Sequence, residues 1–421
     1  MVELLRSRRD NFTGKMPNNT AAFIFAGNSR AMTQDEDYPF LVDRNFFYLT
    51  GLTGEEMVLV IVKSSNDVSM SLYVLPRDDH EERWHGKRAD HSEISDICGI
   101  PVSSIFDLDR FDEDSYEIIR TPHLNVAVDG SSVMDAPRKF RDRVAGIRAN
   151  ADIIDLKDIF MSLRMIKSEE EQECIRCAAK ITEDSIEAIK SFIKPGVTEY
   201  ELHTRLEFEM KMRGSEVFAF ATIISSGKNA FYLHHGIPEK TGDGVIADGG
   251  FVQFDVGARY KGYCSDISRV FFVGYGDGED DKRIILLDLI RDLRKACWDN
   301  IRPGMTFNNL NRLMHEMTYD FLIRNGFASE EEDTAVAAHR YYWHNTSHYL
   351  GLDVHDMSNV LPKDYRDIPF EEGVCLAVEP GVYIPEWNVG FRIEDDVAVT
   401  GDGCILLSSG NKGDIPEVIF C

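Results

Sequence analysis

Residues 251–273 read FVQFDVGARYKGYCSDISRVFFV, and this stretch decides the architecture of most of the chain. Two apolar runs, 251–254 and 270–273, flank a polar middle that holds Gly257 and Gly262. That pattern predicts a β-hairpin. Each arm carries an aspartate, Asp255 and Asp266. With Tyr260 and Lys261 at the tip, Asp255 stands opposite Asp266, with Cβ atoms about 5 Å apart on one face. Like charges so placed repel unless a cation lies between them. A divalent metal would accept both carboxylates. A shifted register, with both carboxylates in solvent, is the alternative that this stretch leaves open.

Three other stretches carry matching chemistry. Residues 342–356, YWHNTSHYLGLDVHD, hold His344, His348 and His355 in a chain with twelve histidines. Imidazole is the commonest metal ligand. Residues 376–394, LAVEPGVYIPEWNVGFRIE, hold Glu379 and Glu394. With Glu386 and Trp387 at a second hairpin tip, Glu379 faces Glu394. Residues 231–236 hold His234 and His235, whose ordinary reading is a buried or capping histidine. Four carboxylates and an imidazole exceed the needs of one ion. Two ions roughly 3.5–4 Å apart would use them, sharing oxygens and activating a water between them. Oxygen and nitrogen ligands without thiolate favour Mn²⁺, Co²⁺ or Zn²⁺.

The chain has 421 residues, enough for two domains, and 43% of them are apolar, as in globular proteins. No apolar run approaches the ~20 residues of a membrane span. The N-terminus, MVELLRSRRDNF, lacks the apolar core of a signal peptide, so a cytoplasmic protein is expected. A net charge of −26 repels phosphate backbones and argues against nucleic-acid binding. Eight scattered cysteines form no disulfide framework, and Cys174 and Cys177 read as core-facing thiols of a helix.

Residues 1–158 read as a compact α/β domain. A helix over 1–14 precedes β-like runs at 21–26, 46–49, 57–62, 70–75 and 125–128, with helices at 92–98 and 136–145. The charge-dense residues 77–90, RDDHEERWHGKRAD, read as a solvated loop, or else as one that brings Trp84 to an active site. A second domain is expected over 159–421. Ser168 with Glu171, and Thr198 with Glu201, match capping boxes. An echo links Ile193-Lys194-Pro195-Gly196-Val197-Thr198 to Ile301-Arg302-Pro303-Gly304-Met305-Thr306. Each copy sits between two helices and is followed by strands rich in carboxylates, which predicts two related α+β halves.

The ordered set Asp255, Asp266, His348, Glu379 and Glu394, in contexts FDVG, SDISR, SHYLGLDVHD, VEPG and RIEDD, resembles the dinuclear pita-bread metallopeptidases. Within that superfamily the chain resembles the Xaa-Pro aminopeptidases (aminopeptidase P) and the Xaa-Pro dipeptidases (prolidases). Residues 8–63, including YPFLVDRNFFYLTGL, resemble their N-terminal domain. The resemblance implies an α+β fold: a pita-bread (creatinase/aminopeptidase) catalytic domain behind a smaller N-terminal α/β domain. It implies two divalent metal ions, Mn before Co or Zn, with Asp255 on one metal, Asp266 and Glu394 bridging, and His348 and Glu379 on the other. Glu379 would also serve as general base, and His355 would stabilise the tetrahedral intermediate. His234 and His344 would line the substrate site, and Arg392 would orient ligand carboxylates. The implied reaction is hydrolysis of the Xaa-Pro bond at peptide N-termini by a metal-bridging hydroxide. Dipeptide-only cleavage is the first alternative, and a non-catalytic binding protein on the same fold is a second. The implied assembly is a homodimer or homotetramer, with Trp84 as a contact in trans. Two departures from the family pattern are Asn345, where the family usually has glycine, and a short loop between Glu379 and Glu394.

Overall fold

A computed structural model of the chain describes residues 2–149, 151–236, 244–274 and 281–408. It divides into two compact units, Met1–Arg164 and Met165–Cys421. Helix Lys157–Arg164, which spans the boundary expected at residue 159, belongs to the first unit.

The first unit is built on six strands: β1 Thr20–Phe25, β2 Val58–Lys63, β3 Val68–Val74, β4 Ile105–Asp107, β5 Asn125–Val128 and β6 Ile153–Asp155. Their spatial order is β4-β3-β2-β1-β5-β6. The pairs β1/β2 and β2/β3 are antiparallel, and the other three are parallel. Central β1 is buried at every position, as its sequence TAAFIF requires. On one face Phe23 packs against Phe140 with ring centroids 4.5 Å apart.

Two local expectations are corrected here. Residues 46–49, read as β-like from their aromatic content, lie in helix Arg44–Thr50. The carboxylate of Asp43 accepts the N–H groups of Asn45 and Phe46, and Gly51 closes the helix at φ 69°. Cap chemistry outweighs the aromatic β-tendency, which measures fit to a pleated surface more than backbone preference. Residues 77–90 are not wholly loop: Asp79–His85 is a short helix capped by Asp78, with no buried side chain.

The second unit carries the echo through its whole length. Helices Glu169–Ile189 and Glu199–Met212 flank the first copy, and Lys282–Asn300 and Phe307–Arg324 flank the second. Both expected capping boxes form. The two echo glycines adopt positive φ, 88° at Gly196 and 89° at Gly304. Each donates its N–H to a distant carbonyl, Gly196 to Ile246 (2.9 Å) and Gly304 to Phe370 (3.0 Å). Strands begin five residues after each acceptor, at Phe251 and Cys375.

The first half holds β7 Ile223–Ser226, β8 Phe251–Val256, β9 Arg259–Tyr260, β10 Tyr263–Cys264 and β11 Ile267–Phe272. The second holds β12 Ser347–Tyr349, β13 Cys375–Val378, β14 Gly381–Ile384, β15 Val389–Arg392, β16 Asp395–Val399 and β17 Cys404–Leu406. The antiparallel trio β7-β8-β11 repeats as β12-β13-β16. One face of β8, with Val252, Phe254 and Val256, packs on the first helix pair. Its other face starts at Phe251 in the second core and continues through Gln253 to Asp255.

The β8/β11 register differs from the expected one. Val256 pairs with Ile267 and Tyr260 with Tyr263, so the tip is Lys261-Gly262 and Asp255 faces Ser268. Lys261 at φ 47° and Gly262 at φ 84° supply the two positive angles of a two-residue hairpin turn. A tip at Tyr260-Lys261 would have placed the glycine outside the turn that needs it. The slip is two residues, so Asp255 and Asp266 still share a face, because strand side chains alternate with period two. The second hairpin keeps its expected register. Gly381 pairs with Arg392 and Val378 with Asp395, which puts Glu379 level with Glu394.

Behind that strand lies a buried charge network. Asp395 accepts from Arg294 at 2.6 Å and from Arg269 at 3.0 Å. Burial pushes its carboxyl up, but the two guanidiniums win and hold it below the usual range. Arg294→Met would leave a buried carboxylate half-compensated, and should cost about 3 kcal/mol. Lys295→Met breaks only the exposed pair with Asp299 and should cost under ~0.5 kcal/mol. Urea denaturation followed by tryptophan fluorescence separates the two. Equal effects would show that the network contributes little.

Candidate metal centre

The long hairpin of β13–β14 with β15–β16 splits where its carboxylates sit. Pro380 has no N–H to continue the ladder. At that point Glu379 N–H turns to Thr346 O (2.7 Å), and Glu394 N–H to Ser268 O (3.2 Å). Ile393 N–H still reaches Pro380 O at 3.4 Å, and the Glu394 N–H ties its strand to the first half. Gly381 allows this closeness, since a Cβ there would lie 2.7 Å from His344 Nε2 and 2.8 Å from Arg392 Cβ. Gly257 does the same beside Asp266, where a Cβ would meet Ser265 O at 2.0 Å.

All five expected ligands line one cavity of about 600 Å³, together with His234, His344, His355 and Arg392. His348 Nε2 stands 3.3 Å from Asp266 Oδ2, 3.9 Å from Glu394 Oε1 and 4.0 Å from Glu379 Oε1. Its Nδ1 is 3.1 Å from Tyr349 O, a contact that only an Nδ1–H can make as donor. The Nε2 lone pair therefore faces the carboxylates, the tautomer a metal requires. Asp266, His348 and Glu394 each present a ligand atom within 4.8 Å of the others.

The carboxylates are short of positive charge. Burial first, then Asp255, Asp396 and Glu379, push Asp266 well above the usual range. Burial first, then Asp266 and Glu379, do the same to Glu394. Glu379 is raised chiefly by burial. Among the described residues, Asp255 Oδ1 and Asp266 Oδ1 are buried without a hydrogen-bond partner. Buried acceptors of this kind are costly unless a ligand satisfies them. Oxygen and nitrogen donors without thiolate suit a divalent cation of the Mn, Co or Zn type.

The remaining cavity groups are individually held. Arg392 pairs with Asp255 Oδ2 and donates to Leu233 O at 3.0 Å and Tyr383 Oη at 3.4 Å. His344 Nε2 lies 3.1 Å from Tyr383 Oη, and its Nδ1 lies 3.4 Å from Glu379 Oε2. Burial lowers His344 and His355 to about 4, so both are neutral at pH 7. The His355 ring meets the His348 ring edge to face at 4.2 Å between centroids. Asn345 lines the cavity and accepts from Asn311 Nδ2 at 3.4 Å. Trp84 lies in the first unit, 75% exposed on helix Asp79–His85.

Several supporting residues escaped the sequence reading. Asp396 accepts Asp266 N–H through both carboxylate oxygens at 3.2 Å. Ser268 donates to Glu394 Oε2 at 3.0 Å. Buried Glu199 accepts from Ser226, Asn229 and His235, fixing the turn that carries His234. The doubled acid in RIEDD was the available sign for Asp396. Glu199 was hidden inside a helix cap motif.

Carboxyls whose folded pKa is raised cost stability as pH rises through that pKa, and cost nothing below the unfolded value. Metal-stripped protein should therefore lose stability as pH rises above the ordinary carboxylate range, measured by thermal denaturation. Asp266→Asn should melt higher than the stripped wild type at pH 8, because it removes one repelling charge. Mn²⁺ at 100 times its Kd should add about 2.7 kcal/mol to the wild type. It should add almost nothing to Asp266→Asn.

Comparison with known proteins agrees with this geometry. Residues 173–401 match Metallopeptidase family M24, and residues 5–126 match the aminopeptidase P N-terminal domain. The chain is 29% identical over 417 residues to the Xaa-Pro aminopeptidase of Escherichia coli, covering 94% of this chain and 92% of that protein. It is 30% identical over 303 residues to the Xaa-Pro dipeptidase of Pyrococcus furiosus, covering 72% and 78%. The solved proline aminopeptidase P II of Yersinia pestis superposes with a TM-score of 0.85 at 25% identity, covering 98% of each chain. A ligand set carried by split strands of two repeated halves, matched over more than half the chain, makes this protein a member of metallopeptidase family M24.

Proposed function

We propose that this metallopeptidase removes the N-terminal residue from peptides with proline in second position, as an Xaa-Pro aminopeptidase. The observation that carries the reading is the convergence of Asp255, Asp266, His348, Glu379 and Glu394 on one cavity with uncompensated buried charge. Asp255, Asp266, His348, Glu379 and Glu394 would together hold two divalent ions. Bound there, the ions would supply a nucleophilic water at neutral pH and an electrophile for the carbonyl oxygen. Mn²⁺ is the proposed native metal, with Co²⁺ or Zn²⁺ as substitutes. A structure of Escherichia coli aminopeptidase P in complex with product carries zinc in substitution.

The chain's own groups do the rest. Glu379, its carboxyl raised by burial, would take the proton of the attacking water. His355, neutral, would donate its ring N–H to the developing oxyanion. Arg392 would hold Asp255 in its orientation through their ion pair. Phe220, Leu233, Val354 and Tyr365 give the cavity apolar walls suited to a proline ring, with His234 and His344 among them. Proline once acylated has no N–H, so a site that works on the carbonyl suits this bond.

The second reading is an Xaa-Pro dipeptidase, favoured by the likeness to the Pyrococcus furiosus protein. Cytoplasmic residence and a homodimer or homotetramer belong to the proposal, as does Trp84 reaching a neighbour's substrate. Among the described residues no helix is long and apolar enough to cross a membrane.

Gly-Pro and Gly-Pro-Gly assayed side by side with Mn²⁺ decide between the readings. Cleavage of the tripeptide is expected, and cleavage of the dipeptide alone would select the dipeptidase. Trp84→Ala should raise KM for the tripeptide several-fold. An unchanged KM removes the contact in trans.

A further inference from the structure

A buried ion pair lies at the cavity wall, its acid next in the chain to His355. Lys167 Nζ donates to Asp356 Oδ2 at 3.0 Å, and the two side chains are 2% and 0% exposed. Asp356 directly follows His355. Both residues lie in the cavity wall, with the Asp356 carboxylate paired to the lysine.

The packing around the pair is tight. A Cβ on Gly351 would lie 2.3 Å from Asp356 Oδ2 and 3.0 Å from Lys167 Cε. Lys167 is itself fixed, with its N–H on Gly373 O (2.8 Å) and its carbonyl accepting from Gln172 Nε2 (3.1 Å). The start of the loop is held separately: Cys264 N–H donates to Gly351 O at 2.8 Å, and Arg259 Nη1 to Leu352 O at 3.0 Å. At its end, Asp356 N–H donates to Tyr349 O at 2.9 Å. That carbonyl also faces His348 Nδ1. One acceptor therefore ties the anchored loop to the strand that carries the metal-facing imidazole.

We propose that Lys167 and Asp356 are positioning residues, a charge pair that sets the His355 ring relative to the reacting carbonyl. The inference rests on the role assigned to His355 under the proposed function. A fully buried pair is a weak source of net stability. Its value here is geometric, since a displacement of about 1 Å at a catalytic group costs up to ~100-fold in rate.

The test is a double-mutant cycle on a tripeptide with proline second. Wild type, His355→Ala, the charge-free pair Lys167→Met with Asp356→Asn, and the triple variant are compared by kcat, KM and bound Mn²⁺. The charge-free pair should bind metal normally and lose about 10-fold in kcat with KM within about 2-fold. In the His355→Ala background the same two changes should cost less than about 2-fold more, because the group they position is gone. An equal 10-fold loss in that background overturns the proposal, as does an unchanged kcat or a fall in bound metal. His355→Ala with wild-type kcat overturns the role of His355 and, with it, the positioning. If the charge-free pair does not fold, Asp356→Asn alone, of the same shape, enters the same cycle.

Discussion

Mutual repulsion among carboxylates gathered in one cavity is the constraint on which this fold is built. Asp255, Asp266, Glu379 and Glu394 are held together away from bulk water, with Arg392 as the guanidinium in contact with them. Such an arrangement opposes folding unless the surrounding structure enforces it. The enforcement is visible. Split strands, two glycines without room for a Cβ, and a second row of buried acids and guanidiniums behind the first all serve to hold the four in place. Stability of this kind is given up at the site and recovered in the two apolar cores that β8 separates.

The same constraint explains the irregular strands. In the hairpin from Cys375 to Val399, Glu379 and Glu394 stand side by side at a position whose backbone N–H groups point away from each other's strand, since the hydrogen bonds of that ladder fall on neighbouring pairs such as Val374 and Val399. Pro380 removes one donor from that ladder, and the outward-facing N–H groups of Glu379 and Glu394 bond to Thr346 and Ser268. The first bond extends the β12/β13 ladder that carries His348, and the second brings in β11 beside Asp266. Outward-facing backbone groups thus hold the hairpin to its neighbours, and the one on Glu394 joins the two halves.

Much of this was legible in the sequence because strand chemistry repeats every two residues. The first hairpin was placed two residues out of register, yet Asp255 and Asp266 stayed on the correct face. A slip of one would have separated them. The second hairpin was placed correctly, since both its carboxylates flank an obvious turn. The echo predicted two halves because Pro-Gly followed by a capping threonine is a local signal for a helix break. Residues 46–49 misled because their side chains suit a strand, while the helix was set by Asp43 and Gly51 outside the run. Lys167 and Asp356, 189 residues apart, gave no local sign of contact. Pairing between distant buried charges depends on tertiary packing, which periodicity does not encode.

The repeat also exposes an asymmetry with chemical meaning. Counting from the carbonyls that accept the echo glycines, Ile246 and Phe370, Asp255 and Glu379 occupy equivalent positions, each nine residues on. Their partners differ. Asp255 meets a guanidinium, a permanent cation that neither gives up nor receives a proton. Glu379 meets His344, an imidazole kept neutral by burial, and burial raises the Glu379 carboxyl itself. Under the proposed function these two equivalent acids would be given different work. The one beside the guanidinium would hold an ion, and the one beside the neutral ring would take a proton from water. That proposed division would follow from which side chain, Arg392 or His344, each half sets against its strand.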